Sequence, residues 1–351
     1  MNALETLLDS VLADPIGPAR AAGNAIAYVG ADIPAELLLA SGRFACHLPW
    51  NADQATPVAD RWLESSFAPW ARSMLEDWAA GKFDFLERVI FSRGDDSAQR
   101  LYYYVCELQR RREIGGPEPL IFDISRIRRE TSIQRTIAAV RRLAERLDIS
   151  DDQLREGIDA ANRRRRLFAA IEARRGAPAS LYERIARASL FADIDEALAT
   201  ASLPDGEVEN RVVLAGSVPP DERLHLAVEA AGWTVTGEAS DRSLTRFGPE
   251  INGDYADAAD AIGAHAHEFL PGARSFADRA ASLIDAAHRT RAGAVILWLI
   301  EEDEGIAWNV PAQRAALKAE GIPSLIMSRR RWDASDGAGE EIAIFLEELD
   351  A

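Results

Sequence analysis

Thiols are nearly absent from this sequence: its 351 residues hold two cysteines, Cys46 and Cys106, far apart and without Cys-x-x-Cys spacing. That excludes a disulfide framework and a self-contained cysteine-rich metal module. Long apolar runs are missing too, and none approaches the roughly 20 residues of a membrane span. The opening MNALETLLDSVLADP is acidic and amphipathic, unlike the positive start and apolar centre of a signal peptide, so a cytoplasmic location is expected. Positive charge is in deficit: 40 Lys and Arg stand against 57 Asp and Glu, a net charge of −17 that argues against a general nucleic-acid binder. No GxGxxG follows a strand, Gly81-Lys82 lacks the rest of a Walker loop, and GxSxG and HExxH do not occur. The usual dinucleotide, P-loop, nucleophile-elbow and zincin sites are thereby removed.

What is present reads as an ordinary soluble composition, 48% hydrophobic and 28% charged, with length for about two domains at ~150 residues each. Gly293 to Ser328 is the most informative stretch. Ala294 to Ile300 is apolar at every position, which suits a strand covered on both faces. Four carboxylates follow, Glu301, Glu302, Asp303 and Glu304. Pro311 then opens a helix that Gly321 closes, and Ile322 to Met327 is a further strand. Such a β-loop-α-β unit carries ligands at the C-terminal ends of its strands.

The same alternation runs through the chain. Strands are expected at Ala25–Val29, Phe44–Leu48, Arg88–Ser92 and Pro119–Ile124, and again at Arg211–Ala215 and Trp233–Gly237. Helices are expected over 3–14, Ile33–Ala40, Trp62–Ala80, Ser97–Arg112 and Asp221–Ala231. A further helix is capped by Ser275, with Asp278 at the capping-box spacing, and the last spans Glu340–Glu348 with Ile342, Ile344, Phe345 and Leu349 on its apolar side. From Ser132 to about Ala201 the periodicity is helical throughout, with Ser150 and Gln153 forming a capping box, and 240–272 reads as irregular and acidic. The expected fold is α/β, two Rossmann-like parallel-sheet halves joined by helices: an N-terminal helix (1–20), a first α/β domain (21–131), a helical segment (132–209) and a second α/β domain (210–351).

Candidate site residues follow from strand ends. Asp95 and Asp96 follow one strand, and Glu302 and Asp303 another; they are either acid/base or divalent-metal groups or simply acidic helix starts favoured by the dipole. Gly216-Ser217, between a strand and a helix, is either an anion-holding turn or a plain βα connection. Arg329 to Arg331 follow a strand end, while Arg163 to Arg166 are either phosphate contacts or a solvated helix face. His265 and His267 are two apart, a surface pair or two ligands to one metal. Cys46-His47 ends a strand, with Cys46 read as a small buried thiol.

Seven segments in order resemble the 2-hydroxyacyl-CoA dehydratase and benzoyl-CoA reductase family over nearly the whole chain. DIPAELLLASG (Asp32 to Gly42) resembles the family's Cys-x-x-Pro-x-Glu helix start, APWARS (Ala68 to Ser73) its Cys-Pro-Phe-x-Arg-Ser, and RVIFSRGDDSAQR (Arg88 to Arg100) a strand ending in Cys-Asp. DISDDQLREGIDAANRRRRLF is similar to its helical middle. RVVLAGSVPPDERLHLAVEAAGWTV, GAVILWL and GIPSLIMS are similar to its second half. The resemblance implies a pair of related subunits, an acyl-CoA thioester bound between halves, a [4Fe–4S] cluster held by cysteines from both halves, and an ATP-dependent activator. Here the cysteine positions fall on Ala31, Ala68, Gly94 and Asp303, none a thiolate. The expectation is therefore a subunit of this family without its own cluster, acting as the acyl-CoA-binding or structural partner of a cluster-bearing relative, with Gly216, Ser217, Arg329 and Arg330 toward the cofactor. The alternatives are a repurposed enzyme with a carboxylate and divalent-metal site in the crevice, and a catalytic Fe–S subunit with other ligands.

Overall fold

The computed structural model describes residues 3–127, 129–176, 178–204, 208–244, 246–253, 255–269 and 278–350. Helices α1 (Ala3–Ala13) and α2 (Gly17–Ala22) lead into β1 (Ala25–Val29), α3 (Ala35–Ala40) and β2 (Phe44–His47). Then come α4 (Pro69–Ala79), β3 (Arg88–Ser92), α5 (Asp96–Arg110) and β4 (Glu118–Phe122). Four helices follow without a strand: α6 (Glu130–Arg146), α7 (Asp151–Ala173), α8 (Ala179–Phe191) and α9 (Asp195–Thr200). The alternation resumes with β5 (Arg211–Gly216), α10 (Arg223–Ala230), β6 (Thr234–Ala239), α11 (Ala258–Phe269) and α12 (Arg279–Thr290). Last come β7 (Ala294–Ile300), α13 (Glu304–Ala307), α14 (Val310–Ala319), β8 (Ser324–Arg330) and α15 (Ala338–Asp350).

The strands form two four-stranded parallel sheets, β2-β1-β3-β4 and β6-β5-β7-β8. The α/β class expected from the alternation is what the chain adopts. All seven side chains of β7 are buried because it is a central strand with helices on both faces. In each sheet the order reverses between the two central strands, so β1 and β3, and β5 and β7, diverge at a switch point where a crevice opens at their C-terminal ends. The two crevices face one another. Trp50, beyond β2, donates its Nε1–H to Pro220 O at 2.8 Å, and Arg223 pairs with Asp53 at 3.2 Å.

Helix α11 comes from the later part of the chain, yet Ala258, Ala259, Ile262 and Ala266 pack into the core under the first sheet with Ile26, Ile90, Val140 and Ile158. Gly263 lets α11 approach α6 closely, since a Cβ there would sit 2.7 Å from Ile137 Cα.

Several boundaries differ from those read in the sequence. Helix α4 starts at Pro69 rather than Trp62, because Ala68 precedes proline and is held extended (ψ 141°); a short 3-10 turn, Ala59–Arg61, lies upstream. Segment 240–272 is not wholly irregular: Asp257 accepts from Asp260 N at the head of α11, whose small residues had hidden its stripe. Helix α12 begins at Arg279 with Asp278 as the N-cap, accepting from Ala280 N and Ala281 N, while Ser275 and Pro271 lie outside the described residues. Strand β8 continues to Arg330. On α15 the buried stripe is Ala338, Ile342 and Leu346, at i, i+4 and i+8, and Ile344 and Leu349 are exposed. Among the described residues no helix is long and apolar enough to cross a membrane.

Candidate functional site

The facing sheet ends gather carboxylates. Asp32 follows β1, Asp95 follows β3, Asp241 follows β6 and Asp303 follows β7, so each is delivered to the crevice by a strand C-terminus. Asp95 caps α5, its Oδ1 accepting from Ala98 N at 2.7 Å, which makes it the acidic helix start foreseen as one of its two readings. It sits deep in the crevice. Burial pushes its carboxyl up to about 7 against the pull of the Ala98 N–H, and the charges of Asp303, Asp241 and Asp32 raise it further. Asp303 is raised by burial, against the hydrogen bond from Ser217, with Asp241 repelling it. Asp32 is buried and raised by burial although Arg126 pairs with it at 2.9 Å. Asp96, by contrast, is exposed and lies 3.7 Å from Arg100 one turn on. Glu302 is half-buried at the rim, and burial raises it.

Ala31, Ala68, Gly94 and Asp303 all border this crevice. Ala68 N–H donates to Ser97 Oγ at the start of α5, and a Cβ on Gly94 would lie 2.2 Å from Asp32 Oδ2. The Asp32–Arg126 pair therefore fills the space that a side chain at position 94 would need. Neither cysteine reaches the crevice residues: Cys46 is fully buried within β2, where burial pushes its thiol up to about 12, and Cys106 is in the middle of α5.

Ser217 is a hinge between strands rather than an open cradle. Its N–H is committed to Trp298 O (2.8 Å), its Oγ donates to Asp303 Oδ2 (2.8 Å) and accepts from Ile300 N (3.1 Å), and α10 does not start until Arg223. The helix N-terminal donors expected beside Gly216-Ser217 are therefore not there. Gly216 has φ 102°, and a Cβ there would strike Trp298 O at 2.3 Å. Arg329 is exposed and pairs with Glu301 at 2.7 Å; Arg330 is tied to Asp336 and Glu341 at 3.0 and 2.5 Å. Both arginines belong to the outer strand and have carboxylate partners.

The arginine run on α7 is divided: Arg163 and Arg166 are exposed, as a solvated helix face would be, while Arg164 and Arg165 are structural. Arg164 grips Asp195 at 2.8 Å, Arg165 is buried against Glu36 at 2.5 Å, and Arg166 pairs with Glu250. His265 and His267 lie on α11 two residues apart, about 200° round a helix, and His265 Nε2 is engaged by Pro249 O at 2.8 Å, so the two cannot share one metal. His47 accepts from Gly30 N–H through Nε2 (3.2 Å) and donates from Nδ1 to Leu48 O (2.7 Å). That pairing admits only the neutral ring, and burial lowers its pKa to about 4.

One grouping had no signal in sequence. Glu183 on α8, His225 on α10 and Glu238 on β6 bring their ligand atoms within 4.8 Å of one another. Each carboxylate is already paired, Glu238 with Arg175 (2.5 Å) and His225 (2.9 Å), and Glu183 with Arg242. Burial alone would raise Glu238, but Arg175 and His225 hold it well below the usual range. Cations occupy the coordination sites, and the cluster is an internal ion-pair network joining α8, α10 and β6. Of the crevice acids, Asp32 could have been found by the strand-end rule that found Asp95; Asp241 follows an edge strand and had no such mark.

A family model described as 2-hydroxyglutaryl-CoA dehydratase, D-component, matches residues 31–349. No curated protein matches the chain.

Proposed function

Because the chain belongs to the 2-hydroxyglutaryl-CoA dehydratase D-component family, we propose that it is a dehydratase-type subunit without its own [4Fe–4S] cluster. In this reading it binds the acyl-CoA thioester, or supports the fold of a related cluster-bearing subunit, across the crevice between its sheets. The observation that carries this is the donor set. A [4Fe–4S] group requires thiolates, whereas the crevice offers Ala31, Ala68, Gly94 and Asp303, with the Asp32–Arg126 pair filling the space at position 94. The residues present do not fit the cluster. Trp308, 85% exposed just beyond the acidic loop, supports a partner contact, since exposed tryptophan is the type of residue that anchors interfaces.

The test is strictly anaerobic purification from the native host, followed by iron and sulfide analysis of the chain and identification of what travels with it. A related subunit attached, with far less than stoichiometric iron on this chain after separation, is expected. Stoichiometric iron and sulfide on the isolated chain would overturn the reading.

Asp95 favours a second reading, an enzyme with proton-transfer chemistry in the same crevice. A carboxyl that exchanges its proton near pH 7 is matched to general acid/base work, and Asp303 and Asp241 are there to tune it. Among the described residues the crevice acids do not bring three ligand atoms within 4.8 Å, so proton transfer is supported over a metal cage. Unchanged turnover of any substrate found for the wild type, measured with Asp95→Asn, ends this reading.

A further inference from the structure

Among the described residues, the buried arginines are Arg165, Arg175, Arg242 and Arg246. The first three each hold a buried carboxylate, namely Glu36, Glu238 and Glu183. Arg246 holds none among the described residues. Its hydrogen bonds run to neutral acceptors, Ser189 Oγ at 3.2 Å and Ser243 O at 3.3 Å, and its guanidinium lies 4.2 Å from the Phe247 ring and 5.8 Å from Phe168. The charged groups it feels are Arg164, Arg242 and Glu183. Arg164 is neutralised by Asp195 and Asp193, and Glu183 belongs to Arg242. One positive charge is left over in the interior. Burial brings its pKa down to about 10, so the side chain stays charged at neutral pH and cannot relieve the charge by losing a proton. A desolvated cation of this kind calls for a counter-ion.

The surroundings supply one further donor. The Arg242 guanidinium, paired with Glu183, lies 5.2 Å from the Trp50 ring. The Tyr28 hydroxyl, which senses Arg246 and Arg164, makes no hydrogen bond with any described residue. Tyr28, His47 and Trp50 form an edge-to-face wall, with ring centres 5.0 and 5.4 Å apart. Tyr28 and His47 lie deep in the chain yet keep accessible surface, which marks a recess rather than a filled core. His47 is neutral there and adds no competing charge.

We propose that Arg246, together with the Tyr28 hydroxyl, forms an oxyanion site for a carboxylate or phosphate group. Backbone and aromatic neighbours fix the guanidinium in place, so the site is preorganised and the anion supplies the missing charge. The site stands independently of the subunit reading, and its failure would leave subunit pairing untouched.

The test uses the full chain in thermal-shift and calorimetric titrations with inorganic phosphate and, separately, acetate, each at ionic strength matched with sodium chloride. A saturable rise in Tm with at least one anion is expected. Arg246→Met should weaken that anion at least tenfold, Arg246→Lys less, and Tyr28→Phe to an intermediate degree. Response to phosphate alone assigns a phosphate group, and response to acetate alone a carboxylate; both support the site. In chloride, Arg246→Met should melt no lower than the wild type, because a charge without a partner is removed. No saturable response in the wild type, or an equal response in Arg246→Met, overturns the proposal. Should Arg246→Met fail to fold, the wild-type and Arg246→Lys titrations decide it in the same way.

Discussion

The Glu36–Arg165 pair offers the sharpest test of how this fold is held. Glu36 is 1% and Arg165 6% exposed, and they meet at 2.5 Å across 129 residues of sequence. Arg165 also donates to Asn162 Oδ1 (2.9 Å) and Phe247 O (3.1 Å), and Asn162 in turn pairs with both backbone groups of Ile251. One guanidinium thus ties α3, α7 and the strand-free segment before α11. Gly157, where a Cβ would lie 2.4 Å from Glu36 O, brings the same two helices into contact. Removing one partner strands a buried charge, so Glu36→Met alone should cost about 3–5 kcal/mol. At roughly 2 °C per kcal/mol, the low end for larger domains, that is a Tm loss of about 6–10 °C. Glu36→Met/Arg165→Met, which removes both charges, should recover most of the loss, because a well-packed apolar pair often matches a buried ion pair. Urea denaturation followed by far-UV circular dichroism completes the double-mutant cycle. A single substitution costing less than about 1 kcal/mol, or a double variant no better than Glu36→Met, would refute the reasoning.

Two further outcomes follow from the crevice. Asp95 keeps its proton in the native state up to about pH 7, so its contribution to stability is full below the ordinary carboxylate pKa and is lost as pH rises through 7. Asp95→Asn retains the cap on Ala98 without titrating. Relative to the wild type it should gain on the order of 2–4 kcal/mol between pH 4 and 8; a pH-independent difference in urea midpoints would count against the shift. Gly94→Ala should destabilise by about 1–3 kcal/mol, because its Cβ would fall 2.2 Å from Asp32 Oδ2 and Arg126 holds that carboxylate in place. Wild-type stability in Gly94→Ala, measured by the same denaturation, would show that Asp32 moves freely.

Much of the framework was legible because local patterns and tertiary packing agree. The seven apolar residues of β7 suited a strand covered on both faces, and Ser150 with Gln153 announced α7, where both hydrogen bonds of the capping box form. Strand ends pointed to Asp95 and Asp303, which do share one crevice. What was not legible depends on distant partners. Nothing near Arg163–Arg166 reveals that Arg165 meets Glu36, or that Arg164 meets Asp195. The same holds for Arg246, whose significance is that, among the described residues, it lacks the carboxylate partner its neighbours have. Helix α11 was missed because alanine, glycine and histidine on its inner face carry a weak apolar signal; its burial comes from close approach to α6 rather than from large side chains.

That docking has a consequence for how the protein is made. The core under the first sheet contains Ile26 and Ile90 but also Ile251, Ala258, Ile262 and Ala266. During synthesis the amino-terminal sheet can pair its strands and be covered by α3, α6 and α7 early, but the core beside α6 and α7 remains open until residues up to about 266 have left the ribosome. Until then an apolar surface waits for a helix that has not yet been translated. The interval invites chaperone binding, and it makes the chain fold as one interleaved unit rather than half by half.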